Sequence, residues 1–212
     1  TAEVRLGFKG SLYRLSQASL DPSKLGLEQL LGMLTHSAHS AKERQAPTGG
    51  YGVFSFAENI ASVALWYPIL AAYDERGWDL TPTKGVGDRS YFDVAHYDVT
   101  LTTDEGVEVA STGVELSSER LAPPSERPEE GAKRRRRFIA AGAREFTFQA
   151  SRDYIKASAS AGEVMVNSYA LKGQRQAAEA SLRAAISALE SFEAMFGPYT
   201  YKELDVAQAP LI

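Results

Sequence analysis

The chain has 212 residues, 44% hydrophobic and 24% charged, the balance of a chain that folds around a core. A net charge of -4 and a pI near 5.5 argue against a surface built to grip phosphates, so nucleic acid is not an expected partner. The absence of cysteine excludes disulfides, thiolate metal sites and cysteine nucleophiles. The longest apolar stretch, residues 60–73, is shorter than the ~20 residues of a membrane span, so no span is expected in this stretch.

In chain order, "EVRLGFKGSLY" alternates, with Val4, Leu6 and Phe8 on one face, and predicts a strand. Because the chain starts at Thr1 and enters this strand at once, it is expected to be a piece of a longer protein. Asp21 as N-cap and Pro22 at the first helical position open a predicted short helix carrying Leu27, Leu30, Leu31 and Leu34. "SAHSAKERQAPTGGYG" is a predicted loop. From Gly52 to Gly113 aromatic and β-branched runs predict strands, and "FDVAHYDVTLTT", "DEG" and "VEVAST" predict a half-buried antiparallel hairpin.

Pro123, Pro124 and Pro128 mark a hairpin loop that runs into "KRRRR", followed by short strands and by the strand "EVMVNSYAL". From about Gln174 to Phe196, Ala178, Leu182, Ala185, Leu189, Phe192 and Phe196 draw one apolar stripe at helical spacing. Gly197 and Pro198 stop that helix, and "YKELDVAQAPLI" reads as a strand entering a sheet. The fold expected is therefore mainly β with an α/β end. The domain boundary is placed near 160, giving residues 1–159 and 160–212.

Few residues suggest chemistry by themselves. His36 and His39 are three apart but lack a third ligand nearby, so they read as a solvated polar face, and His96 reads as a hydrogen-bonded surface histidine. Lys133 to Arg137 could dock on an anionic surface or an acidic partner, but Glu119, Glu126, Glu129 and Glu130 lie close enough in sequence to neutralise them. "KGVGD" lacks the strand-to-helix setting of a phosphate loop and reads as a turn. There is no nucleophile-elbow serine and no paired-carboxylate pattern, so no catalytic residue is assigned.

Two stretches carry a resemblance. The helix followed by "FGPYTYKELDV" resembles the segment that precedes the GxMEN substrate-binding strand in aminopeptidase N-type zinc metallopeptidases, where the phrase is typically close to FGPYPYxxLDVV. "YGVFSFAENIASVALWYPILAAYDERGWDL" and "GDRSYFDVAHYDVTLTTDEGVEVASTG" resemble the N-terminal β-domain of bacterial members, in the same order and spacing. The family wording FPCxDxP is replaced here by "WYPILAAYD".

The resemblance implies that residues 1–159 are the latter part of a saddle-like antiparallel β-sandwich, and 160–212 the first strands and helix of a thermolysin-like catalytic domain. The family's HExxH zinc motif and GxMEN are absent from this stretch, so no metal ligand or cofactor is expected here and zinc is expected in the full-length parent. Asp205, Val206 and Pro210 would lie on the strand leading to that site. Glu58, with Asn59 beside it, falls near the family position that meets the substrate amine, which makes Glu58 the candidate substrate-binding residue. The implied partners are a peptide substrate, through the parent, and the remainder of the catalytic domain. The alternative is a non-catalytic binding or scaffold module of the same architecture. A piece of this kind is also expected to be aggregation-prone or dimeric through an unpaired strand edge at residues 4–12 and an uncovered helix stripe at Leu182, Leu189 and Phe192.

Overall fold

The computed structural model describes residues 5–14, 54–80 and 93–210. The expected helix at 21–34, the loop after it, His36, His39 and the "KGVGD" turn lie outside those residues. The described strands are β1 (Tyr13–Arg14), β2 (Phe54–Ala57), β3 (Ile60–Val63), β4 (Tyr73–Asp74), β5 (Gly77–Trp78), β6 (Ala95–Asp104), β7 (Glu108–Ser111), β8 (Val114–Leu121), β9 (Lys133–Ala143), β10 (Phe148–Ser151), β11 (Tyr154–Ala161), β12 (Val164–Leu171) and β13 (Glu203–Ala207). One α-helix, α1 (Arg175–Phe196), lies between β12 and β13. The chain is mainly β, as expected.

Three sheets and the helix stack in sequence. A three-stranded antiparallel sheet, β6-β9-β8, shares a core with the five-stranded sheet β1-β2-β3-β10-β7, filled by Phe138, Ala140, Phe146, Val109 and Ala150 with Tyr97, Val99 and Leu101 against them. The opposite face of the five-stranded sheet packs Ile60 and Ala110 against Tyr154 and Tyr169 of the sheet β11-β12-β13. That last sheet puts Val164, Val166 and Ala161 on its far face, against Leu182 and Leu189 of α1. Covered on both sides, the middle sheet is built from small residues; Ser55, Ala57, Ser62 and Ala110 are all buried.

Local sequence accounts for several of these elements. In β12, Val164, Val166 and Ser168 alternate with Met165 and Asn167, and the first set faces the helix. Helix α1 ends at Gly197, whose left-handed φ of 94° lets its N–H bond the Glu193 carbonyl. Gly113 is held at φ 105° in the turn from β7 to β8, where an added Cβ would lie 2.5 Å from the Ile139 carbonyl oxygen. Only glycine fits there without moving backbone.

Four expectations change. Residues 5–12 form no strand; pairing starts at β1, which joins β2 in parallel, and Leu6 and Phe8 are exposed. The hairpin expected between β6 and the strand after it does not form: β6 takes β9 as its partner along nine paired positions, while β7 crosses to β10 in the other sheet. Residues 133–137 are not part of a loop but the first half of β9, the centre of its sheet. On α1, Ala178, Leu182 and Leu189 are buried as the stripe predicts, but Phe192 and Phe196 are exposed and pack on each other with ring centroids 6.1 Å apart. Residue 160, near which the boundary is placed, lies in β11, whose eight residues all pair with β12.

Candidate functional site

The face of β11-β12-β13 turned away from the helix is polar where the opposite face is apolar. Register places Ser158 beside Asn167 and Asn167 beside Asp205, so the three side chains cross the sheet in a row. Ser158 Oγ donates to Asn167 Oδ1 at 2.7 Å, and Asn167 Nδ2 donates to Asp205 Oδ1 at 2.8 Å. Asp205 Oδ2 then accepts the backbone N–H of Ser111, in β7 of the middle sheet, at 3.3 Å. One carboxylate thus ties two sheets together. Asn167 is fully buried, so its amide is fixed by this row alone.

Glu203 lies two residues before Asp205 on the same face. Burial raises the Glu203 carboxyl to about 6, with the neighbouring Asp205 adding to the rise and Lys156 opposing it. Burial also raises Asp205, against the hydrogen bonds from Asn167 and Ser111 that favour its charged form. The Tyr169 hydroxyl is raised by burial and by the charges of Asp205 and Glu203, and its ring takes Lys156 Nζ at 5.2 Å from the centroid. Among the described residues, neither Glu203 nor Asp205 has an ion-pair partner within 4.0 Å.

These carboxylates open onto a cleft of about 1060 Å³ between the layers. Its walls are the β7–β8 turn around Gly113, the end of β9 and the residues after it from Ile139 to Glu145, and the segment from Tyr199 to Asp205. Tyr201 Oη bridges it by donating to the Gly142 carbonyl at 2.9 Å. The arrangement suits a cationic group, and Glu203, raised to about 6, could exchange a proton near neutral pH.

Glu58 is elsewhere. It forms the β2–β3 turn with Asn59, both with left-handed φ (50° and 62°), and it is exposed and does not line the cleft. Asn59 Nδ2 instead donates to Asp153 Oδ2 at 2.9 Å, which anchors the turn to the start of β11. His96 is an exposed histidine whose Nδ1 accepts the Gly142 N–H at 3.2 Å, as expected of a hydrogen-bonded surface residue.

The basic run has a carboxylate for every cation. Lys133 meets Asp104 at 2.5 Å, Arg134 meets Glu105 at 3.6 Å, Arg135 meets Glu119 at 3.6 Å, Arg136 meets Glu115 at 3.5 Å, and Arg137 meets Asp98 at 2.7 Å. Of the acids nearby in sequence only Glu119 takes part. The others come from β6, from the turn after it and from β8, which lie beside β9 only in the folded sheet.

Models of known protein families do not match the chain, and no curated protein matches it significantly. Among the described residues, no three His, Cys, Asp or Glu side chains are grouped to hold a metal, and no helix is long and apolar enough to cross a membrane.

Asn167 and Ser158 were not singled out by sequence reasoning. The signal was a lone polar residue on the cleft-facing parity of "VMVNSYA", in step with the acids of "ELDVA".

Proposed function

We propose that this chain is part of an aminopeptidase N-type zinc metallopeptidase, comprising the end of a saddle-like β-sandwich and the start of a thermolysin-like catalytic domain. The parent hydrolyses N-terminal peptide bonds, and this stretch contributes a wall of the substrate cleft without contributing the zinc. The supporting observation is the combination of "FGPYTYKELDV" with its setting: a helix packed on a sheet, a glycine stop, and a strand whose acidic face borders a cleft. HExxH is not in the chain, so no catalytic step is assigned to its residues.

The test is the intact mass of the natural gene product with zinc quantified in the same sample. A product much heavier than 23.0 kDa with about one zinc per chain supports the reading. A zinc-free product of this size rejects it in favour of a binding module of the same architecture, a second reading favoured by the two carboxylates that line the cleft without an ion pair within 4.0 Å. For the isolated chain the expected result is no hydrolysis of an aminoacyl anilide. Chelator-sensitive turnover by the chain alone would show that the active site had been misplaced.

A further inference from the structure

Strands β6, β9 and β8 meet at one tip of their sheet, where Asp104, Lys133 and Leu121 lie side by side and β6 turns toward β7. One residue in from this tip, register sets Arg120 directly opposite Arg134, a like-charged cross-strand pair that is unfavourable without an anion between the two. Glu105 fills that place: its Oε1 accepts Arg120 Nε at 2.8 Å and lies 3.6 Å from Arg134. Asp104 is shared in the same way, with Lys133 on one oxygen at 2.5 Å and Arg152, which follows β10, on the other at 2.6 Å. Arg152 also donates to the Glu105 carbonyl at 3.3 Å, which joins the two halves.

Two adjacent carboxylates thus hold four cations, a local excess of two positive charges in a chain of net charge -4. Lys133 to Arg137 match their own five acids, so the excess is brought by Arg120 and Arg152, whose side chains are 60% and 58% exposed. Other acids of β8 and of the loop after it are engaged elsewhere, Glu115 with Arg136, Glu119 with Arg135 and Glu130 with Arg127. Arg120 uses only Nε on Glu105, and its two terminal nitrogens have no hydrogen-bond partner among the described residues.

We propose that this tip docks an acidic polypeptide segment, whose Glu or Asp side chains take Arg120 and Arg152 as their main contacts. Arginine forks suit carboxylates, and two cation pairs on neighbouring residues suit acids spaced along a chain better than one tetrahedral oxyanion. An extended anionic surface fits less well, because the chain's net negative charge repels whatever reaches beyond the ~8–10 Å over which the local excess acts. The proposal does not rest on the metallopeptidase reading.

The experiment uses the full chain and two labelled octapeptides followed by fluorescence anisotropy at low salt, one alternating Glu and Ser and one with Gln in place of Glu. The expected result is saturable binding of the Glu peptide and at least tenfold weaker binding of the Gln peptide. Arg120→Gln and Arg152→Gln should each weaken binding about threefold, the worth of one exposed charge pair. Glu105→Gln should strengthen it, because the internal competitor is gone, whereas a purely structural carboxylate would give no gain. Arg183→Gln, on the exposed face of α1, is the control for overall charge and should change nothing. No binding, or equal binding of the two peptides, overturns the proposal. An equal loss in Arg183→Gln overturns the site, and displacement of the peptide by an equal concentration of inorganic phosphate overturns the polypeptide partner in favour of a simple oxyanion. Zinc enters nowhere, so failure here leaves the metallopeptidase reading untouched.

Discussion

Two sheets of this protein carry their charges in opposite ways. In β6-β9-β8 five consecutive cations each meet a carboxylate, mostly at the solvent. In β11-β12-β13 two carboxylates are drawn partly out of water, and among the described residues no cation lies within 4.0 Å of them, Lys156 acting on both from farther away. The difference is one of register. β9 is a central strand, and both of its neighbours present acids to it. β13 has β12 as its one neighbour among the described strands, and its carboxylates line a cleft. A count of charges along the sequence would rank the arginine run as the reactive feature. Pairing makes it the quieter of the two regions.

The contrast is broken most strongly at Asn167. Asn167→Ala empties a fully buried site and removes the amide that bonds the partly buried Asp205, so a loss of about 1–3 kcal/mol is expected in urea denaturation. A loss below about 0.5 kcal/mol would mean that the polar row does not stabilise the sheet.

The two regions should also respond to pH with opposite sign. Asp98 is held below the usual carboxylate range by Arg137, and Asp104 by Lys133 and Arg152. Their contribution is present above the ordinary value of 3.8 and is lost as pH falls through the lowered values. Glu203 is raised in the fold, so it is tolerated best when protonated, and stability is lost as pH rises from about 4.5 through about 6. Glu203→Gln should remove that decline while leaving the acid limb in place. An unchanged decline in the variant would assign it to another group.

Helix α1 and β13 were legible because their signals are local: an apolar stripe, a glycine stop, a short alternating strand. The exposure of Phe192 and Phe196 was not, because which part of an apolar stripe is covered depends on residues distant in the chain. Residues 133–137 resist a strand reading for a related reason. Five adjacent cations are poor strand formers until β6 and β8 bring Asp98, Asp104, Glu115 and Glu119 alongside. The site itself depended on register, which aligns Ser158, Asn167 and Asp205 from three separate strands, and no short motif encodes that alignment.

The smallest effects are expected on the paired side. Arg135→Ala removes an exposed pair at 3.6 Å from Glu119 and should change stability by no more than about 0.5 kcal/mol, with the difference vanishing at high salt. A larger, salt-resistant loss would show that the run contributes more than a solvated ladder.

The most direct test of the contrast is a carboxyl NMR titration that follows Glu203 and Asp104 in the same sample. The account predicts that Glu203 titrates near 6 and Asp104 below its ordinary 3.8. Glu203 titrating at or below 4.5 would contradict it, because the carboxylate would then be either solvated or already matched by a cation.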